Sequence, residues 1–273
     1  MIENYPGVIH QMIDEPASEY HRQARNNLSS HQLGTFRRCP AEFRMKCIGD
    51  IAEKDSAAYA VGRALHTLCL EGADALAANY LVGGPVNPKT GKTYGRDTQK
   101  FSAWVDEQGG GEYVSPEELE TIEAMTAAVR GHDFASKLLE HGRAEGVLRA
   151  NMCGFACQVR CDWFSPEWGL IDLKTCKNLD WFENDFRIFG YGHQLAFYRQ
   201  VIREACGTTP EAYVIAVEKS GPPYRVGVWK VSERTLKIHA QENAKAIREL
   251  GQCLNSNTWP TRYEGLKTID LVA

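Results

Sequence analysis

Two stretches constrain this chain more than any other. Residues 153–164 (CGFACQVRCDWF) and 169–175 (GLIDLKT) alternate apolar and polar positions with period two. Between them lies Ser165-Pro166-Glu167-Trp168, a turn by composition. The pattern predicts an antiparallel hairpin with one face apolar, which must be covered by other elements. Cys157, Val159 and Cys161 form the apolar face of the first strand, which leaves Asp162 on the polar one. In the second strand Asp172 and Lys174 share a face, while Ile171 and Leu173 point the other way.

Helical signals surround the hairpin. Residues 29–46 read as two short helices, the second opening at Pro40, where a missing N–H costs least. Residues 56–72 place Ala60, Leu65, Leu68 and Cys69 near helical spacing and predict a single helix stopped by Gly72. Residues 83–95 are a Gly- and Pro-rich loop, and 116–130 a helix with Pro116 first and glutamates in its opening turns. The character changes at about residue 147. Beyond the first hairpin come a helix at about 190–205 and a second hairpin, 211–219 with 224–231, turning at Gly221-Pro222-Pro223. A long amphipathic helix at about 232–253 closes the order. The alternation predicts a mixed α/β fold, with a short segment over 1–27 and one domain over 28–273. That domain divides into a helical first half to about 146, a hairpin-containing core over 147–231, and a closing helix and tail over 232–273.

Composition narrows the class. With 43% hydrophobic and 24% charged residues the chain is globular in type, and no apolar run reaches the roughly 18 residues of a membrane helix. The N-terminus lacks the basic-then-apolar layout of a signal peptide, and nine cysteines, an odd number, suit reduced thiols in a cytoplasmic setting. The formal charge is −4, but it is unevenly spread. Residues 21–46 carry six basic side chains and one acidic, and residues 86–100 four and one, so these 41 residues hold +8 and the other 232 hold −12. Basic segments on an acidic body suit an anionic partner held in one groove. Ser30, Arg37 and Arg38, with Lys89, Lys92 and Arg96, are the candidates for contacting such a partner, phosphate groups included.

The chemistry concentrates between Asp162 and Lys174. With the turn centred near residue 167, Asp162 and Asp172 fall opposite one another, roughly 4.5–5.5 Å apart at Cβ if directly paired. Two facing carboxylates are unfavourable unless a positive group lies between them. A divalent ion such as Mg²⁺, held by one or two carboxylates plus water and phosphate, satisfies that need. Lys174 beside it would stabilise developing charge or orient a water, as phosphodiester hydrolysis requires. Gln194 and Tyr198, four apart on the following helix, share a face.

Asp162, the run Ile171-Asp172-Leu173-Lys174-Thr175 and the run Gln194-Leu195-Ala196-Phe197-Tyr198 together resemble the RecB-like branch of the PD-(D/E)xK nucleases. Within that branch the chain is most similar to the nuclease domain of RecE-type exodeoxyribonucleases (exonuclease VIII) of phage and prophage recombination systems. Val61 to His66 looks like the helix bearing that group's metal-binding histidine, Leu28 to Leu33 like its opening Ser-x-x-Gln-Leu segment, and Asn257 to Pro260 like its closing Trp-Pro. The resemblance runs from about 28 to 262. It implies a restriction-endonuclease-like core, a central mixed sheet flanked by helices. It also implies Mg²⁺-dependent 5′-to-3′ digestion of one strand of linear duplex DNA by a ring-shaped homo-oligomer, trimeric or tetrameric, in the bacterial cytoplasm. The 3′ overhang would pass to a RecT-like annealing protein. By the same resemblance His66, Asp162 and Asp172 would ligate metal, with the Leu173 carbonyl as a further ligand. Lys174 would position or activate water, and Gln194 and Tyr198 would sit at the edge of the site towards the substrate phosphate. Mn²⁺ could substitute for Mg²⁺. Relatives with an iron–sulfur cluster carry three cysteines near the C-terminus where this chain has only Cys253, so no cluster is expected.

Two decoys are set aside. Lys89-Thr90-Gly91-Lys92-Thr93 mimics the end of a phosphate-binding loop, but position 86 is Val and no strand leads in. Cys153, Cys157 and Cys161 cannot share a metal from one strand, where four residues span roughly 13 Å. They read as core packing. Tyr94, Phe101 and Trp104, which could stack on bases, are expected to be buried.

Overall fold

A computed structural model describes residues 5–52, 57–95 and 97–269. Short helices α1 (Pro6–Gln11) and α2 (Ala17–Gln23) come first. Helix α3 (Ser30–Arg38) is opened by a capping box in which Ser29 Oγ accepts the Gln32 N–H and Gln32 Oε1 accepts the Ser29 N–H. Cys39 is extended, as a residue before proline prefers to be, and α4 (Pro40–Ile48) starts anew. The two helices predicted across 29–46 are therefore present.

Helix α5 (Ala57–His66) does not run on to Gly72 as predicted. At His66 it widens into a π turn over Thr67–Glu71, closed by the Gly72 N–H donating to the Thr67 carbonyl at 2.9 Å. Arg130 reaches in to donate to the Cys69 carbonyl. Next come α6 (Ala73–Asn79), β1 (Tyr80–Val82), α7 (Gln99–Glu107) and β2 (Glu112–Val114), with β1 and β2 paired parallel. Helix α8 (Pro116–Gly131), again entered through a capping box at Ser115, and α9 (Asp133–Leu138) lead into the sheet.

The sheet has five strands in sequence order: β3 (Arg143–Met152), β4 (Phe155–Ser165), β5 (Gly169–Cys176), β6 (Ala212–Glu218) and β7 (Val226–Lys230). Only β5 and β6 are parallel, and a parallel pair needs a long crossover. Helices α10 (Phe182–Ile188) and α11 (Tyr191–Cys206) supply it, and α12 (Glu233–Ser256) closes the fold. All seven residues of β6 are buried because both faces of the sheet are covered. Leu170, Val214 and Ala216 face α11, through Leu195 and Val201, and α12, through Ile247. Ile171, Leu173, Ile215 and Val217 face α5 and α8, through Leu65, Ile122 and Met125.

The predicted hairpin is present with its predicted axis, pairing Ser165 with Gly169 and Trp163 with Ile171. The five-stranded sheet, however, begins at Arg143 rather than near 147, and the small β1–β2 pair precedes it. Residues 143–176 form a three-stranded meander, not a lone hairpin, with an additional tight turn at Cys153-Gly154. Both turn residues have positive φ, 51° and 85°, the geometry a two-residue hairpin turn favours. Cys153 is thereby exposed, unlike buried Cys157 and Cys161, which corrects its assignment to the core. Of the three aromatics expected to be buried, Phe101 is, packed against Trp104 and Tyr113, whereas Tyr94 and Trp104 are half-buried.

The N-terminal stretch belongs to the same core. Tyr5, Val8 and Met12 are buried in it, the Tyr5 N–H donates to the Pro166 carbonyl, and Ile13 bridges to Val147. At the other end Trp259 stacks on Phe43, and the Pro260 carbonyl accepts the Ala41 N–H. Among the described residues no helix is long and apolar enough to cross a membrane.

Candidate active site

The site opens where the β4–β5 ladder stops. Beyond the Trp163–Ile171 pair the strands separate, and the Leu173 N–H is taken at 3.0 Å by Asp162 Oδ2 instead of by backbone. A carboxylate that replaces a ladder partner holds the strands apart and stays fixed itself. Asp172 follows on β5, close enough for the Asp162 carboxylate to act on its ionisation. The two aspartates thus meet across the hairpin.

Asp172 is almost wholly buried. Its Oδ1 accepts from Gln194 Nε2 at 3.0 Å, and Lys174 Nζ stands 2.7 Å from its Oδ2. That ion pair holds Oδ2, which is itself buried. Burial, with Asp162 nearby, raises the Asp172 carboxyl to about 7, although Lys174 opposes the rise. Lys174 itself is held charged: burial disfavours its ammonium, but Asp172 and Asp162 outweigh burial and raise its pKa. Its ammonium also lies 5.0 Å above the Tyr191 ring.

His66 enters from the end of α5, just before the π turn, with Nδ1 3.6 Å from Asp162 Oδ2. Burial lowers its pKa more than Asp162 and a hydrogen bond to the Leu173 backbone raise it. A neutral imidazole is the form that can ligate a metal.

Sequence reasoning missed Glu145. It lies on β3 opposite Asp162, where the β3–β4 pairing is interrupted between Ala144–Trp163 and Gly146–Cys161. Its φ is +54°, a left-handed conformation uncommon for a residue with a side chain and often found at functional sites. One ligand atom from each of His66, Glu145 and Asp162 falls within 4.8 Å of the others. Burial, then Asp162, push the Glu145 carboxyl up to about 8, against the pull of Arg160, whose Nε lies 3.0 Å from Oε2. The available signal was the turn at Cys153-Gly154, which by the same counting that paired 162 with 172 pairs 145 with 162.

Two half-buried carboxyls and an imidazole around one point, with the buried Asp172 carboxyl on the adjoining strand, fit a divalent ion better than they fit one another. Hard oxygen donors in the majority suit Mg²⁺ or Mn²⁺. Of the sequence-chosen residues, His66, Asp162, Asp172, Leu173, Lys174 and Gln194 converge here. Tyr198 is buried, with its hydroxyl 3.4 Å from Gln194 Nε2, so it backs Gln194 rather than lining the edge of the site. Ser30, Arg37 and Arg38 lie on α3, with Arg38 paired to Glu42 and Arg37 half-buried. Lys89 and Lys92 are exposed on the loop bridged by Val86 and Thr93, and Arg96 lies outside the described residues.

The sheet order, the flanking helices and an Asp-x-Lys strand crossing the open end of a hairpin are those of a PD-(D/E)xK nuclease fold. The chain belongs to the family described as a PDDEXK-like domain of unknown function (DUF3799), whose profile matches residues 29–271. No curated protein matches the sequence. Among solved structures, one described as a "putative exonuclease" from Eubacterium rectale superposes with a TM-score of 0.68 at 15% identity. The alignment covers 95% of this chain and 97% of that one. A second, SSO0001, reaches a TM-score of only 0.26 at 15% identity over 46% of this chain and 66% of that one.

Proposed function

We propose that this protein is a Mg²⁺-dependent exodeoxyribonuclease that digests linear duplex DNA from 5′ to 3′ and leaves a 3′ single strand for annealing-type recombination. The observation that carries the hydrolytic reading is the buried Asp172 carboxylate, ion-paired at 2.7 Å to the charged Lys174 beside the cluster of His66, Glu145 and Asp162. His66, Glu145, Asp162 and Asp172 would hold the metal, with the Leu173 carbonyl available beside them. The ion would supply charge neutralisation at the scissile phosphate and a more acidic water. Lys174, kept as an ammonium, orients the attacking water and stabilises charge developing on the phosphoryl oxygens. Gln194 fixes the plane of the Asp172 carboxylate, and Tyr198 fixes Gln194. The description of the Eubacterium rectale structure as a "putative exonuclease" supports the choice of an exonuclease. Polarity, a ring-shaped homo-oligomer, an annealing partner of RecT-like kind and a cytoplasmic setting of phage or prophage origin rest on the resemblance to RecE-type enzymes.

Linear duplex DNA labelled at either the 5′ or the 3′ end tests this, with Mg²⁺ or EDTA, alongside Asp172→Ala and a closed circular plasmid. Early release of the 5′ label as mononucleotide, abolished by EDTA and by the substitution with the circle intact, is the expected result. A nicked circle would instead indicate an endonuclease of the same fold, and metal-independent release would remove the site from the chemistry.

A further inference from the structure

One residue before Gln194, a second group of metal-capable side chains joins α11 to α12. One ligand atom from each of His193, His239 and Glu242 lies within 4.8 Å of the others. His193 Nε2 is 3.4 Å from Glu242 Oε2, and His239 Nδ1 is 3.2 Å from the same oxygen. Ligands bonded at about 2.0–2.1 Å to a tetrahedral zinc lie roughly 3.3–3.4 Å from one another, close to both nitrogen–oxygen separations, the second of which is a hydrogen bond in the metal-free protein.

The hydrogen bonding makes the arrangement specific. Asn243 is buried, and its Nδ2 donates to the His193 carbonyl at 2.9 Å. Its Oδ1 therefore faces His193 Nδ1 at 3.1 Å, which must carry a proton to satisfy it. The remaining nitrogen, Nε2, is the atom aimed at the Glu242 carboxylate. It is thereby placed to share a metal ion with that carboxylate. An imidazole whose other N–H is held by a side-chain carbonyl is the usual outer support of a metal ligand.

The backbone accommodates the second histidine. The His239 ring packs against the first turn of α11 at Gly192, where a Cβ would come within 2.5 Å of its Cδ2. The two imidazole centroids are 4.1 Å apart. His193 and Glu242 also line a cavity of about 270 Å³ with Arg37 and Lys245, which leaves a fourth position open to water.

We infer that His193, His239 and Glu242 form a zinc site that clamps the first turn of α11 to α12. Two imidazoles and one carboxylate are a donor set suited to zinc, whereas the carboxylate-rich cluster at Asp162 suits Mg²⁺. Because Gln194 follows His193 directly, the clamp also steadies the turn whose amide contacts Asp172.

The test uses the full chain carrying Asp162→Asn, which removes a ligand from the other cluster, and reads Co²⁺ binding by visible absorption with Zn²⁺ as competitor. The expected result is one equivalent showing the intense bands of four-coordinate cobalt, displaced by Zn²⁺ but not by equimolar Mg²⁺. Adding Glu242→Gln, at an exposed position that does not threaten folding, is expected to weaken binding at least about 100-fold, since outer-shell partners alone are worth 10–100-fold. His239→Gln, checked for fold by circular dichroism, is expected to do the same. Absence of the bands, or bands unchanged by both substitutions, would overturn the site. Because the readout is metal affinity, it stands or falls independently of nuclease activity.

Discussion

Glu145 stands opposite Asp162 at the interruption of the β3–β4 ladder, its backbone turned left-handed and its carboxyl among His66, Asp162 and Arg160. This relationship makes β3 part of the site rather than an edge that merely completes the sheet. A non-glycine residue at positive φ costs of order 1–3 kcal/mol, and the surrounding pairing of β3 with β4 holds it there.

Glu145→Gln keeps the shape and removes the charge. Mg²⁺ affinity, measured by calorimetry on inactive Asp172→Asn protein to isolate this contribution, is expected to fall at least tenfold. Unchanged affinity would remove Glu145 from the ligand set.

The raised carboxyls also fix the sign of a pH effect. Glu145 is pushed to about 8 and Asp172 to about 7, whereas in the unfolded chain they ionise near 4.3 and 3.9. Between roughly pH 4 and 8 the metal-free folded protein therefore holds protons that the unfolded chain has lost, and its stability falls as pH rises. His66, with its lowered pKa, contributes in the opposite sense below about pH 6.5, so the difference between wild type and Glu145→Gln isolates the carboxyl. The Tm of the variant is expected to decline less steeply from pH 5 to 8. Stabilisation of wild type by Mg²⁺ is expected to grow over the same range, because metal must displace those protons. Parallel Tm profiles for the two proteins would refute the assignment.

Gln194 reaches Asp172 directly and Tyr198 only through Gln194, which ranks their substitutions. Gln194→Leu is expected to lower kcat by about 10–100-fold with KM little changed, since it releases a ligand's orientation rather than a substrate contact. Tyr198→Phe leaves the Gln194–Asp172 bond and is expected to cost less than about fivefold. If Tyr198→Phe proved the more damaging, the hydroxyl would be acting on substrate.

The pairing of Asp162 with Asp172 was legible in the sequence because a four-residue turn sets the hairpin axis and period-two alternation sets the faces. The split of α3 from α4 was legible because Pro40 and Ser29 carry their own local geometry. Glu145 was hidden because its left-handed backbone interrupts the β3–β4 pairing without changing the register, a conformation that nothing in the composition of Arg143 to Gly146 signals. Likewise Thr67–Glu71 has the composition of ordinary helix, and only tertiary contacts such as that of Arg130 with Cys69 mark the wider turn. Tyr198 shares the helix face of Gln194, but sequence does not say that this face is sealed beneath the sheet.

Lys89 and Lys92 are both exposed on one loop, and phosphate contact needs only charge and reach. Each phosphate contact contributes about 0.9 to the slope of log K against log salt on duplex DNA. The double substitution Lys89→Ala, Lys92→Ala is expected to weaken duplex binding at low salt and to reduce that slope by nearly 2. An unchanged slope would place the loop away from DNA.

Lys174 separates catalysis from metal binding most sharply. Its ammonium is 2.7 Å from Asp172 Oδ2 and is held charged by two carboxylates, which suits it to stabilise charge and orient water. Its contribution is electrostatic, and losing one charge-stabilising donor typically costs about 10²–10³ in rate. Lys174→Met preserves the length and apolar stem of the side chain, so packing against Tyr191 should survive. Cleavage of linear duplex DNA is expected to fall by that factor, whereas Mg²⁺ should bind at least as well, because Asp172 no longer shares its charge with an ammonium. Weaker Mg²⁺ binding in Lys174→Met would mean that the lysine organises the ligands, and a rate within about threefold of wild type would remove it from the chemistry.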